Sequence, residues 1–352
     1  MKGKNVLVTG GAGFLGYHLA QNLIHREVAS LTMNDIAPFF ENEYSPDINL
    51  VNQDVRDPEG MHRLIRDNKI DVIIHCAAAL PLWPKPEIYS TNIQGVRNTL
   101  EQAKKCGVER VIFISSTAVY GVPDKHPLYE DDQLDGVGAY GESKIEGEKV
   151  CAEFRQMGMC VPVIRPKTFI GTARLGVFQI LYDWVDSGKR IPIIGKGNNL
   201  YQLLEVTDLI EAIWLAAIAP ADVANDIFNV GAQMYDKVKI DVGALCDYAG
   251  SGSKVMPTPA ALVKPALAIF EFLKISPLYK WVYGTADKDS YVSTGKIEKK
   301  LGWKSRFSNQ DALTTSHRWY LDHKEELTHQ KAGITHRVGW DQGILKLFKR
   351  FL

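Results

Sequence analysis

Asn5-Val6-Leu7-Val8-Thr9-Gly10-Gly11-Ala12-Gly13-Phe14-Leu15-Gly16 is the stretch that decides the fold. Its first five residues are an apolar run of strand length, and Leu15–Ile24 carries the spacing of a helix. Between them the glycines are set as GxxGxxG. Gly10 permits a tight turn, Gly13 lets backbone approach a ligand, and Gly16 lets the helix lie close to the strand. A helix N-terminus reached through such a loop favours an anion. A glycine triplet alone is weak evidence, but here an acidic residue, Asp35, ends the second strand 19 residues after Gly16. A carboxylate there accepts ribose hydroxyls and repels a 2′-phosphate, and no Lys or Arg occurs between Val28 and Glu43. The stretch therefore predicts a NAD site, not a NADP site, built by Gly10, Gly13, Phe14, Leu15, Gly16 and Asp35. Asp54 and Val55, after the third strand, suit the adenine edge.

Outward from this loop, strand-length runs alternate with helical segments. Asn5–Thr9, Ser30–Asn34, Val72–Cys76, Val111–Ser115 and Val161–Arg165 read as buried parallel strands. Leu15–Ile24, Gly60–Arg66, Asn92–Lys104 and Tyr140–Met157 read as the helices between them, the third stopped by Gly107. The expected fold class is α/β: a doubly wound parallel sheet (Rossmann) with a smaller, interleaved C-terminal substrate domain. The nucleotide-binding domain spans 1–166 and the substrate domain 167–335. Val206–Ala217 and Ile227–Val230 read as a helix and strand returning to the first domain near 205–231. Met256–Tyr283, rich in Pro and large apolar residues, reads as a helical cap over a pocket, and Leu301-Gly302-Trp303 as a turn.

Lys plus Arg and Asp plus Glu each number 41, so no overall charge recruits nucleic acid. The 5 cysteines include no CxxC pair, which points to reduced thiols in a cytoplasmic protein, without a disulfide framework or metal site. The first apolar run, Val6-Leu7-Val8, is too short for a signal peptide, so export is not expected, and the apolar stretch Ala260–Leu273 falls short of the roughly eighteen apolar residues a membrane span needs.

In Tyr140-Gly141-Glu142-Ser143-Lys144 a phenol and an ammonium share one helical face. A free phenol titrates near 10, too high for a base at neutral pH; a neighbouring Lys⁺ and a positive nicotinamide ring bring it into range. YxxxK alone fits a solvated helix face equally well, and its place after the glycine loop decides otherwise. Ser115-Ser116-Thr117 closes the fourth strand of that reading at the carboxyl edge of the sheet, where such folds bind ligands. Ser116 can polarise a carbonyl there, while Ser115 and Thr117 are more easily read as strand-end hydroxyls.

The chain resembles the NAD-dependent epimerase/dehydratase branch of the extended short-chain dehydrogenases. The resemblance rests on TGGAGFLG, His75-Cys76-Ala77-Ala78, Thr91-Asn92 with Gly95, SSTAVYG, YGESK, Arg165-Pro166 and Lys300-Leu301-Gly302-Trp303. It implies Ser116, Tyr140 and Lys144 as the catalytic set. It places Ala77, Ala78, Asn92, Ser115 and Pro166 around the cofactor beside Tyr140 and Lys144. It also implies a homodimer paired through Asn92–Lys104 and Tyr140–Met157.

The sequence departs from that family at places that matter for substrate. The Asp-Glu pair of sugar-nucleotide dehydratases is Thr117-Ala118 here, so dehydration by that route is not expected. The Asn and Arg that grip the substrate's diphosphate in sugar-nucleotide members are replaced by Thr168 and Tyr201. Loss of a guanidinium removes the strongest charge-assisted contact, and only Lys167 or Arg174 could substitute. Thr117, Thr168 and Tyr201 are the expected substrate-pocket residues. The favoured reading is hydride transfer between NAD(H) and a bulky apolar ketone or alcohol, of 3β-hydroxysteroid, isoprenoid or acyl type. The alternative is a nucleoside-diphosphate-sugar 4-epimerase with tightly bound NAD, and a third is a noncatalytic NAD-binding regulatory protein. Trp83, Phe178, Tyr182, Trp184 and Phe270 are candidates for an apolar pocket, with core packing the better expectation for each. His75 and His126 read as structural. The tail, 336–352, is amphipathic over Ile344–Leu352; it suits either peripheral contact with an anionic membrane or, preferably, packing on its own domain.

Overall fold

The computed structural model describes residues 1–273, 278, 280–328 and 336–349. The chain begins β1 (Asn5–Thr9), α1 (Phe14–Leu23), β2 (Ser30–Asp35), β3 (Ile48–Asn52), α2 (Pro58–Asp67), β4 (Val72–His75), α3 (Lys85–Tyr89) and α4 (Gly95–Lys105). It continues β5 (Arg110–Ile114), α5 (Gly138–Gln156), β6 (Val163–Pro166), β7 (Thr168–Ile170), α6 (Val177–Asp186), β8 (Arg190–Ile194), β9 (Leu203–Glu205) and α7 (Val206–Ile218). Then come α8 (Ala221–Ala224), β10 (Ile227–Val230), α9 (Val238–Ala249), β11 (Lys254–Thr258), α10 (Ala260–Phe272), α11 (Lys280–Thr285), α12 (Gly295–Leu301), α13 (Asn309–Thr328) and α14 (Leu345–Phe348).

Seven parallel strands form one sheet in the order β10-β6-β5-β4-β1-β2-β3. The strands are continuously apolar because helices cover both faces. Val6 and Val8 pack with α1 and α7 on one side, whereas Leu7 packs with α2, α4 and α5 on the other. Strand order reverses between β1 and β4, and at that switch point the carboxyl ends of the strands open a crevice for ligand.

The chain leaves the sheet after β6 and returns twice. Helix α7 and strand β10 close it beside β6, and α12 with the fully buried Trp303 joins the core under β1. Trp303 Nε1 donates to the Asp208 carbonyl at 2.9 Å, fastening this second return to α7. The segments between form a smaller unit around two short parallel pairs, β7 with β9 and β8 with β11.

Some boundaries differ from expectation. The helix expected over Asn92–Lys104 begins as a π turn at Ser90–Gln94, and α4 proper starts at Gly95. Met256–Tyr283 is not wholly helical: Met256–Thr258 complete β11, paired with β8, before α10 begins. Gly302 ends α12 in the left-handed conformation at φ 68°. Among the described residues of the tail only Leu345–Phe348 are helical, and Lys349 Nζ reaches Asp183 of α6 at 2.6 Å, so the described part packs on its own domain; Arg350–Leu352 lie outside the described residues. Among the described residues no helix is long and apolar enough to cross a membrane, and no cluster of His, Cys, Asp or Glu could hold a metal ion.

Candidate active site

The glycine loop is shaped by contacts that leave no room for side chains. Gly10 sits at φ +73°, and a Cβ there would lie 2.7 Å from the Ala77 amide nitrogen. A Cβ on Gly16 would lie 2.3 Å from the Gly10 carbonyl oxygen, so α1 touches the loop backbone directly. Gly13 meets only the Gly10 carbonyl, and no side chain caps the first turn of α1, which begins Phe14-Leu15. The first N–H groups of that helix therefore face open space with the positive end of its dipole, a cradle that fits a pyrophosphate. Asp35 fastens the loop to the end of β2: its carboxylate accepts from the Ala12 and Ala37 amides, both at 3.0 Å. Burial raises the Asp35 carboxyl above its ordinary range, against the opposing pull of those bonds.

Around the rest of the expected cofactor site several side chains act on the protein itself. The Asp54 carboxylate accepts from Arg56 through its amide at 2.8 Å, Nε at 3.0 and 2.9 Å and Nη2 at 2.7 Å, and Val55 lies under Gly95. The buried Asn92 amide accepts from the Ala79 N–H at 2.8 Å and donates to the Ala79 carbonyl at 3.1 Å and to Ser143 Oγ at 3.0 Å. It thereby ties the strand-end run Ala77-Ala78-Ala79 to α5, and the π turn is what carries it there.

A cavity of about 580 Å³ lies at the carboxyl ends of β5 and β6. Its walls include Ser116, Thr117, Tyr140, Pro166, Thr168 and Tyr201, so every hydroxyl expected to meet substrate shares one space. Successive strand-end residues point opposite ways. Ser116 faces the cavity, accepting from the Ala118 amide at 3.1 Å, whereas Ser115 Oγ turns inward and donates to buried Glu148 at 2.5 Å. The Ser115 side chain thus belongs to a buried network: Glu148 also holds Arg165 through bonds of 2.9 and 2.6 Å, and Arg165 reaches Tyr120, which donates to Asn229.

Tyr140 and Lys144 stand one turn apart on α5, with the Lys144 ammonium 5.8 Å from the phenol ring centre. Lys144 is buried, donates to the Ile114 carbonyl at 2.8 Å and lies 4.9 Å over Phe113. Burial pulls its amine down to about 8 and pushes the Tyr140 phenol up to about 12; a hydrogen bond with Ser116 and the Arg174 charge oppose the latter shift. Burial thus disfavours the Tyr140 phenolate, while Ser116 and the Arg174 charge favour it.

Of the five large apolar candidates only Phe178 lines the cavity. Tyr182 and Trp184 are buried in the second unit's core and Phe270 meets Phe348; Trp83 is half-buried away from the cavity. His75 is buried with Nδ1 2.9 Å from Thr9 Oγ1, and His126 packs on Tyr291. Sequence reasoning placed no site residue in the C-terminal segment. His336 and Trp340 line the cavity, and Arg337 crosses the glycine loop, contacting the Ala12 carbonyl at 3.4 Å, Glu43 at 2.7 Å and the Tyr17 ring at 4.3 Å. No local signal announces a contact across 325 positions.

The model of the NAD dependent epimerase/dehydratase family matches residues 6–231, well over half the chain. The chain belongs to this family. It is an NAD-dependent enzyme, and the cradle, Asp35 and the open turn of α1 fit that cofactor. Relatives from this family include an uncharacterised protein of Sinorhizobium fredii, 29% identical over 98% of this chain and 85% of its own length. A UDP-glucose 4-epimerase of Lactobacillus helveticus is 27% identical over 90% of this chain and 97% of its own. The crystal structure of UDP-glucose 4-epimerase with UDP-glucose from Thermotoga maritima superposes with a TM-score of 0.75 at 23% identity, covering 91% of this chain and 99% of that one.

Proposed function

We propose that this family member is a nucleoside-diphosphate-sugar 4-epimerase that keeps NAD bound through the cycle. The observation carrying this reading is a pair of buried cations, Lys167 and Arg174, in the cavity that holds Tyr140. A steroid or isoprenoid ketone would bring no negative charge to either group. An anionic substrate turns the same groups into contacts. The epimerase name carried by relatives such as that of L. helveticus supports the reading too. The bulky-ketone reading keeps one observation in its favour, the apolar wall made by Leu80, Pro81, Val177, Phe178, Leu181 and Val282.

In this scheme Tyr140 takes the proton of the sugar hydroxyl as it is oxidised and returns it to the ketone. Ser116 donates to the same oxygen and orients it. Lys144 stabilises the phenolate by its charge. Bound NAD would supply hydride acceptance and return at its nicotinamide ring. Gly13, Phe14 and Leu15 would hold its pyrophosphate, Asp35 its ribose, and Asp54 and Val55 the adenine side. The homodimer belongs to the same proposal, with α4 and α5 as the paired helices and light scattering of the purified protein as its check.

The test is turnover of UDP-, dTDP- and GDP-hexoses without added NAD, with the cofactor content of the purified chain measured after denaturation. Interconversion of C4 epimers without net NADH is the expected result. Tyr140→Phe should lower kcat by about 10²- to 10⁴-fold while NAD stays bound. NADH consumption with a lipid-like ketone, and no turnover of any nucleotide sugar, would replace this reading with the ketoreductase.

A further inference from the structure

Lys167 is the first residue beyond β6, and its backbone is fixed there by a 2.8 Å bond from its amide to the Val230 carbonyl of β10. Its side chain is only 5% exposed and lines the cavity. The ammonium donates to Ser290 Oγ at 2.6 Å and stands 5.2 Å from the centre of the Tyr201 ring. Tyr201 in turn approaches Thr168, with the two hydroxyls 3.5 Å apart. Among the described residues no carboxylate forms an ion pair with Lys167. The acids that line the same cavity have other partners. Asp241 accepts from Asn309 at 2.8 Å and Gln310 at 3.1 Å, and Glu271 accepts from Tyr283 at 2.5 Å.

A buried ammonium without a counter-charge is unfavourable by several kcal/mol. Burial alone draws this amine down to about 7, so the strain is relieved in part by the proton itself. Such a group is explicable where the missing negative charge arrives with the ligand. The two positions at which this chain departs from the sugar-nucleotide pattern stand beside this lysine: Tyr201 sets its ring under the ammonium, and Thr168, next in the chain, sets its hydroxyl against that of Tyr201. The departures and the buried charge are therefore one rearrangement of one corner of the cavity.

We propose that Lys167, with the hydroxyls of Thr168 and Tyr201, forms the seat for a phosphate group of the substrate, replacing a bidentate guanidinium grip by a single ammonium flanked by neutral donors. The seat rests on the nucleotide-sugar reading of the cavity. An ammonium binds as a point charge with freely rotating donors, so it holds phosphate firmly but imposes less orientation than a guanidinium.

The experiment is calorimetric titration of the NAD-loaded protein with UDP, UMP and uridine, for wild type, Lys167→Met, Lys167→Arg and Tyr201→Phe. A charge-assisted contact corresponds to roughly a tenfold to hundredfold change in affinity. Lys167→Met should weaken UDP by that factor and leave uridine unchanged, Lys167→Arg should restore part of the loss, and Tyr201→Phe, which removes one hydroxyl, should weaken UDP severalfold. If Lys167→Met fails to fold with NAD bound, the comparison of Lys167→Arg and Tyr201→Phe with wild type carries the test on the same readout. UDP affinity unchanged across the folded variants would overturn the seat while leaving the nucleotide-sugar reading intact. Failure of wild type to bind any of the three ligands would remove both.

Discussion

Glu148→Gln should lower stability far more than its conservative chemistry suggests. The Glu148 and Arg165 side chains are 6% and 2% exposed, and they meet through two bonds, Nε to Oε1 at 2.9 Å and Nη2 to Oε2 at 2.6 Å. Glutamine keeps the shape and one acceptor, which can still serve Ser115 and Arg165 Nε. Its amide nitrogen, however, takes a place 2.6 Å from a guanidinium N–H, donor against donor, and the Arg165 charge loses its partner inside the core. Breaking a buried pair from one side costs about 3–5 kcal/mol. Unfolding entropy of about 2.1 cal/mol/K per residue over 352 residues gives about 0.7 kcal/mol/K, so the midpoint should fall by about 4–7 °C. Differential scanning fluorimetry of the purified variants measures it. Glu146→Gln is the control, because its pair with Lys149 is exposed and worth at most about 1 kcal/mol, or about 1 °C. A fall of 1 °C or less for Glu148→Gln, equal to the control, would show that water reaches the pair and that the burial argument fails.

Other consequences follow from the same contacts. Gly16→Ala forces a Cβ to 2.3 Å from the Gly10 carbonyl oxygen, so α1 must move off the loop and NAD affinity should fall by more than tenfold; retained affinity in a fluorescence titration would refute the packing. Asp35→Ser removes the carboxylate proposed to hold the ribose and should raise NADP affinity relative to NAD, measured by the same titration; an unchanged ratio would place selectivity elsewhere. Acid should destabilise the fold through buried imidazoles. Burial lowers His18 to about 4 and His75 to about 3 from the ordinary 6.5. The unfolded chain then binds more protons than the native one, so stability is lost as pH falls below about 6.5, by up to about 1.4 kcal/mol per unit for each group. His18→Gln keeps a donor for the Thr172 carbonyl, 2.8 Å away in the native chain, and should flatten the slope of midpoint against pH between 7 and 5; an unaltered slope would mean His18 is already protonated.

Local stretches carried much of the fold. Twelve residues from Asn5 to Gly16 define strand, turn and helix because each step depends only on neighbours: an unbroken apolar run, absence of Cβ, helical spacing. Tyr140 and Lys144 share a face for the same reason, since four residues make about one turn. Ser115 shows the limit of such reasoning. The residue lines the cavity, as the resemblance implies for a cofactor neighbour, but no local pattern shows that its hydroxyl turns from there to Glu148, a partner 33 residues away. The π turn that carries Asn92, the second return of the chain at Trp303, and Arg337 across the glycine loop have no local signature either, because each exists only once distant segments pack. By itself the sequence determined the strands and helices of the nucleotide-binding half and the NAD cofactor, and placed Tyr140 and Lys144 on one helical face, all features legible within a strand, a turn or a helix. Only the tertiary structure decided the character of the substrate pocket, because the charge of Lys167 acquires its meaning from burial beside Tyr201 and Ser290, residues 34 and 123 positions away, and burial belongs to the packed chain.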